Sequence, residues 1–154
     1  MFNLFKKSYE IYTPVNGEVI QLDKVSDPVF SEKMMGEGFA VKPSDGNICS
    51  PIKGTVKAIF PSLHALTLES EDGLNVLLHI GLDTVELNGE GFSTGIQVGQ
   101  KVQIGDPLIQ VDLVILAEKQ KDSTVIVVFP EMKGKEVLVN PGNKKMDEVA
   151  ATLK

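Results

Sequence analysis

The stretch Thr13-Pro-Val-Asn-Gly-Glu-Val-Ile20 returns further along the chain as Ser50-Pro-Ile-Lys-Gly-Thr-Val-Lys57. Each copy sets a hydroxyl residue and a proline of fixed φ ahead of a glycine and β-branched residues. That is a turn feeding a strand, and it occurs twice. A second echo links Ile96-Gln-Val-Gly-Gln-Lys-Val102 to Val139-Asn-Pro-Gly-Asn-Lys-Lys145. Two recurring turn-and-strand units predict a β fold with pseudo-duplicated halves.

Outward from the repeats, the chain is punctuated by 14 Gly and 8 Pro, with short β-branched segments between them. Val15 to Leu22, Gly38 to Lys42, Asn47 to Pro51, Thr55 to Phe60, Ala65 to Ser70 and Asn75 to Ile80 read as strands. So do Lys101 to Gln103, Leu108 to Val111, Val125 to Phe129 and Glu136 to Val139. Ser44-Asp45-Gly46, Glu71-Asp72-Gly73, Asn88-Gly89-Glu90-Gly91 and Ile104-Gly105-Asp106 supply turn signals. Regular short strands of this kind argue for an all-β sandwich or barrel. Helix signals are few: Asp112 caps a short turn through Lys119, and Met146, Val149, Ala150 and Leu153 sit at helical spacing.

Composition narrows the chemistry. The 154 residues carry a net charge of −6, from 21 acidic and 15 basic residues, and every basic residue is lysine. An acidic chain lacks the electrostatic footprint of a nucleic-acid binder, and without arginine no bidentate guanidinium clamp forms. One cysteine, Cys49, permits neither an internal disulfide nor a cysteine-rich zinc site, and two histidines fall short of an all-histidine metal site. With 42% apolar and 23% charged residues, a buried core is expected. No apolar run nears the roughly 18–20 residues of a membrane span. The start, Met1-Phe-Asn-Leu-Phe-Lys-Lys7, is too short for a signal-peptide core. Residues 1–10 are expected to be a flexible segment, 11–154 a single domain, and the location cytoplasmic.

The two histidines lie in apolar surroundings: His79 in Gly73-Leu-Asn-Val-Leu-Leu-His-Ile-Gly-Leu-Asp-Thr-Val85, and His64 in Ile59-Phe-Pro-Ser-Leu-His-Ala-Leu66. Strand alternation puts Leu77 on the face of His79. Gly81 follows where the strand would end; it allows close backbone approach, and its carbonyl is suited to fix the ring tautomer.

Leu77-Leu-His-Ile-Gly-Leu-Asp-Thr-Val-Glu-Leu-Asn-Gly-Glu-Gly-Phe92 closely resembles the active-site signature of the glucose-type enzyme IIA domain of the bacterial phosphoenolpyruvate-dependent sugar phosphotransferase system. The likeness extends through Ser26-Asp-Pro-Val-Phe30, Met35-Gly-Glu-Gly-Phe-Ala-Val-Lys-Pro43, Phe60-Pro-Ser-Leu-His-Ala65 and Asp112 to Thr124. It covers about residues 13 to 140. The resemblance implies a flattened antiparallel β-sandwich, the duplicated hybrid motif, and a strand rather than a helix over 144–153. It also implies a phosphocarrier, charged by the histidine-containing phosphocarrier protein and discharged onto a sugar-specific IIB domain. On this resemblance His79 is the phosphorylated nucleophile and His64 the neighbour that hydrogen-bonds the phosphoryl oxygens. Ser62 stands where the family has threonine, keeping the hydroxyl without the stiffening methyl. Gly81 matches the glycine that holds the imidazole, and Asp83 an acidic residue beside the site. Val29, Phe30, Met34, Met35, Phe60, Leu77 and Val85 map to an apolar docking ring. Its two methionines suit unlike partners met in turn. No cofactor is required; a zinc ion held by His64, His79 and a partner carboxylate is compatible. Regulatory targets are a further class of partner, and contact with the membrane runs only through the transporter. Basic partner surfaces complement the −6 charge, so salt should slow the encounter.

Two other classes compete. A biotinyl or lipoyl carrier is suggested by the proline-glycine turns, by Val98-Gly-Gln-Lys-Val-Gln-Ile-Gly-Asp-Pro-Leu108 and by Glu131-Met-Lys133, but Lys133 lies too far beyond the Gly-Asp turn. A zinc hydrolase would take His64, His79 and Asp83 as ligands, yet no His-Glu-x-x-His signature accompanies them.

Overall fold

The computed structural model describes residues 9–132 and 136–154. Its strands are β1 (Tyr9–Tyr12), β2 (Gly17–Gln21), β3 (Glu37–Pro43), β4 (Asn47–Cys49), β5 (Gly54–Ile59), β6 (Ala65–Ser70) and β7 (Asn75–Ile80), followed by β8 (Phe92–Ser93), β9 (Lys101–Val102), β10 (Pro107–Val111), β11 (Val125–Phe129), β12 (Val137–Val139), β13 (Gly142–Lys144) and β14 (Val149–Leu153). Two short helices, α1 (Pro28–Ser31) and α2 (Leu113–Glu118), complete the set with a few 3-10 turns. The fold is all-β. Every strand pairing is antiparallel. An eight-stranded sheet runs β13-β2-β3-β11-β7-β6-β5-β9, beside two three-stranded sheets, β1-β14-β12 and β4-β10-β8.

Side-chain alternation divides the large sheet's two faces. Phe39 and Val41 of β3, Val76, Leu78 and Ile80 of β7, and Val125, Val127 and Phe129 of β11 join the main core with residues of both small sheets. Their alternate neighbours Ala40, Leu77, Ile126 and Val128 form a second cluster with Leu22, Val25 and Phe30, which lie in a 3-10 turn, the loop after it and α1. That double covering explains the unbroken Val-Ile-Val-Val-Phe of β11, all five residues buried.

The duplication is visible in hydrogen bonds. Thr13 Oγ1 donates to the Val15 carbonyl at 2.8 Å, and Ser50 Oγ to that of Ile52 at 2.6 Å. The two turns also cross reciprocally: Tyr12 N–H donates to Pro51 O at 3.0 Å, and Cys49 N–H to Pro14 O at 2.7 Å. Gly17 and Gly54 open β2 and β5 at equivalent crossings, where a Cβ would strike the Lys42 and Glu69 carbonyls respectively. The second echo is offset. β9 pairs with β5 and β13 with β2, but Lys101 opposes Thr55 as Asn143, rather than Lys144, opposes Glu18.

Asp112 caps α2 as expected, accepting the Val114 and Ile115 N–H groups at 3.0 and 3.3 Å. The helically spaced tail is a strand: β14 pairs with β1 on one side and β12 on the other, and two flanking ladders outweigh a weak local period. Strands β1 and β8 and helix α1 are not among the elements expected from the sequence, and β13 lies within the second echo. Tyr9 and Glu10 begin β1. Lys133 lies outside the described residues.

Candidate functional site

Strand β7 sits near the middle of the large sheet, and His79 is its penultimate residue, opposite Ile126 of β11 and Ala65 of β6. The alternation that sends Leu78 and Ile80 inward turns His79 out with Leu77. His64 immediately precedes β6, and its carbonyl accepts the Ile80 N–H at 2.7 Å. Just before it, Leu63 adopts φ 60°. This places the two imidazoles edge to face, with centroids 5.3 Å apart. The Phe30 ring lies 5.0 Å from that of His79, and the Phe60 ring 5.5 Å from that of His64. Four rings thus run in series.

His79 Nδ1 lies 2.7 Å from the Gly81 carbonyl oxygen. A carbonyl only accepts, so Nδ1 carries the proton and donates it, leaving the lone pair on Nε2. Gly81 adopts φ +78°, and an added Cβ would stand 2.5 Å from Thr84 Cγ2 and 2.8 Å from the Asp122 carbonyl oxygen. No other residue fits. Burial pushes the His79 pKa below its ordinary 6.5 against the raising effect of the Gly81 bond; His64 adds to the lowering, while Asp27 and Asp83 oppose it. Burial also lowers that of His64. Both rings are therefore neutral near pH 7, and a neutral imidazole with a free Nε2 is a nucleophile. His64 is 7% exposed, and its Nδ1 is buried with no hydrogen-bond partner.

The remaining expected site residues divide by exposure. Ser62, half-buried, is in the turn before His64, and exposed Asp83 adopts φ 58° two residues past Gly81. Val29, Met34, Met35, Phe60 and Val85 are exposed, but Phe30 and Leu77 are buried, at 6% and 8%. Those two belong to the second core cluster next to His79 rather than to the outer surface. Asp27 was missed as a site residue. It accepts the Val29 N–H at 2.9 Å as the cap of α1, and its charge acts on His79. The Asp27-Pro28 pair, a capping residue before an N1 proline, was the available signal. Cys49 plays no part: burial, with the nearby Asp45 charge, pushes its thiol up to about 11. No group of three or more His, Cys, Asp and Glu among the described residues is arranged to hold a metal ion. A surface groove lined by residues such as Asn47, Ser93, Gln110 and Val114 includes neither histidine. His79 is half-buried, reaching the surface beside the buried His64, which suits a group handed from protein to protein better than a small substrate enclosed in a cavity.

Comparison with known proteins gives a consistent picture. Residues 9–135 match the family described as phosphoenolpyruvate-dependent sugar phosphotransferase system, EIIA 1. A "PTS system glucose-specific EIIA component" of Staphylococcus epidermidis is 50% identical over 107 residues, which are 70% of this chain and 64% of that protein. A "PTS system glucose-specific EIICBA component" of Streptococcus pneumoniae serotype 4 is 49% identical over 120 residues, 78% of this chain. The match spans 16% of that longer protein, so the chain covers under two thirds of the length of either relative. Among solved structures, the glucose permease IIA from Mycoplasma capricolum superimposes with a TM-score of 0.89 at 38% identity, covering 99% of this chain and 100% of the other.

Proposed function

Because this chain belongs to the phosphoenolpyruvate-dependent sugar phosphotransferase system EIIA 1 family, we propose that it is a phosphotransferase component carrying phosphoryl groups in sugar uptake, that His79 is the residue phosphorylated and that His64 steadies the phosphoryl oxygens. The observation that carries this reading is the hydrogen bond from His79 Nδ1 to Gly81, which frees Nε2 for attack. The Nε2 lone pair attacks the phosphorus of a phosphohistidine on the donor. A P–N bond forms as the donor's P–N bond breaks, and the donor's ring nitrogen leaves with that electron pair. His79 keeps its Nδ1 proton throughout. The phosphorylated ring is then cationic, and its bond to the Gly81 carbonyl becomes charge-assisted and stronger. Onward transfer reverses these steps at an acceptor nucleophile.

His64 adds a donor. A buried Nδ1 without a partner is better left as a bare lone pair than as a bare N–H. Its proton therefore belongs on Nε2, as a donor for a phosphoryl oxygen, with the Ser62 hydroxyl as the second. Phosphoryl transfer asks mainly for positioning and charge stabilisation, and a chain without arginine relies on its partner for guanidinium groups. The donor in this reading is the histidine-containing phosphocarrier protein. The acceptor is a sugar-specific IIB domain, of the kind fused to an EIIA part in proteins titled EIICBA. Exposed Val29, Met34, Met35, Phe60 and Val85 are the apolar contacts both partners share, and Asp83 is the charged contact. Residues 11–154 act as one EIIA type-1 domain, in the cytoplasm. Among the described residues no helix is long and apolar enough to cross a membrane. The transfer needs no cofactor. Two imidazoles are short of the four ligands zinc usually takes, so a zinc ion here would need a partner carboxylate and would occupy the nucleophile.

Two variants separate the roles. With His79→Ala, phosphoryl acceptance from the phosphorylated donor is abolished. With His64→Gln, the chain still accepts phosphate, but transfer to IIB slows by roughly 100-fold or more, the scale of losing a positioned donor. Equal loss of acceptance in both variants would defeat the division of labour.

A further inference from the structure

The Gly81 carbonyl can orient His79 only if Gly81 itself is held, and what holds it lies outside the signature around the histidine. The Gly81 N–H donates to Thr124 O at 2.8 Å, and the Leu82 N–H to Asp122 O at 2.9 Å. Residues 122–124 thus continue the β7–β11 ladder past its last pair, Val125 with Ile80. The segment is shaped by one carboxylate. Asp122 Oδ1 accepts the Thr124 N–H at 2.8 Å and the Thr124 hydroxyl at 2.6 Å. Thr124 is 6% exposed, so without Asp122 its hydroxyl would be buried and unpaired. On the other side, buried Thr84 donates to the Ile80 carbonyl at 2.6 Å. Further out, Lys121 pairs with Glu86, and Lys119 with Glu90 at 3.6 Å. Exposed ion pairs of that kind contribute little. The backbone bonds shaped by Asp122 dominate.

We propose that Asp122 is a positioning residue for the phosphoryl-accepting histidine: by folding residues 122–124 against Gly81 and Leu82, it fixes the carbonyl that sets the tautomer and orientation of the His79 ring. This rests on the reading of His79 as the phosphorylated residue. A rival role for Asp122, as one more negative charge for a basic partner, makes the opposite forecast for asparagine. Asparagine keeps the Oδ1 acceptor and loses the charge.

The test uses the full 15N-labelled chain. Imidazole 1H–15N correlation near neutral pH reads the His79 tautomer, and phosphoryl acceptance from the phosphorylated donor is timed on the same samples. In the unsubstituted chain His79 should be the Nδ1–H tautomer. In Asp122→Ala that signal gives way to a tautomer mixture, and acceptance slows by up to about 100-fold, the scale of a misplacement of about 1 Å. Asp122→Asn keeps both near the original values. Thr124→Val, which removes only the hydroxyl bond, gives the same changes in milder form and serves should Asp122→Ala not fold. A folded Asp122→Ala, or Thr124→Val in its place, with an unchanged tautomer and rate overturns the proposal. So does an Asp122→Asn chain as impaired as Asp122→Ala. An unsubstituted chain that never gains phosphate on His79 refutes the underlying reading instead, and the tautomer comparison still judges Asp122.

Discussion

At His79 a single backbone carbonyl decides the chemistry. Imidazole has two nitrogens of nearly equal basicity, and the bond to Gly81 assigns the proton to Nδ1. Burial then keeps the ring neutral by pushing its pKa below 6.5. The sign follows directly. A group whose folded pKa is depressed binds its proton more readily when the chain is unfolded. Its neutral form, and the stability it contributes, are intact above about 6.5 and are lost as pH falls below that value. Phosphoryl acceptance should therefore be flat from pH 8 down to about 6.5 and decline only below it. A pH–rate profile already falling at or above pH 6.5 would contradict a buried, depressed His79. Sequence carried much of this site. The apolar strand, the histidine and the glycine two residues on were legible because each needs only local pattern. The cap at Asp27 had a local signal, but the action of Asp27 and Asp122 on His79 had none, since it crosses gaps that alternation cannot bridge.

Helix α1 is four residues long, yet it packs an aromatic ring against His79. Asp27 caps it, Pro28 starts it, and Phe30 lands 5.0 Å from the His79 ring. An element this short has no stability of its own; the cap and the burial of Phe30 hold it. Asp27→Ala should cost about 1 kcal/mol, a drop of roughly 2–4 °C in Tm for a chain of this size. Asp27→Asn keeps the capping oxygen and should melt within about 1 °C of the parent. Thermal melts of both variants check this; equal losses would show that Asp27 acts through its charge rather than its cap. The strands show why some elements were readable and others not. β11, buried on both faces, announces itself as an unbroken apolar run. β13, Gly-Asn-Lys, is a strand only because β2 offers it an edge. β14 reads locally as helix and is drawn into a sheet by β1 and β12. Pairing partners distant in sequence decided these cases, and no local period records them.

Across the whole molecule, two copies of one turn-and-strand unit build a sheet whose ends mirror each other: β13 and β2 at one, β5 and β9 at the other. β11 and β7, one strand from each half, meet at its middle. The site forms at that seam, where β7 ends beside the start of β11 and β6 brings His64 alongside. A duplicated scaffold thus supplies the central sheet, and segments 22–35 and 81–92 supply what is particular to the site: apolar packing on the His79 ring, a tautomer-setting carbonyl and an exposed rim. The most direct measurement is to incubate the chain with phosphoenolpyruvate and the upstream phosphorelay proteins, then locate the acid-labile phosphate by peptide mapping and 31P–15N NMR. The expected result is one phosphoryl group, on Nε2 of His79. Phosphate on His64, on Nδ1 of His79, or nowhere on the chain while the relay proteins remain active would contradict it.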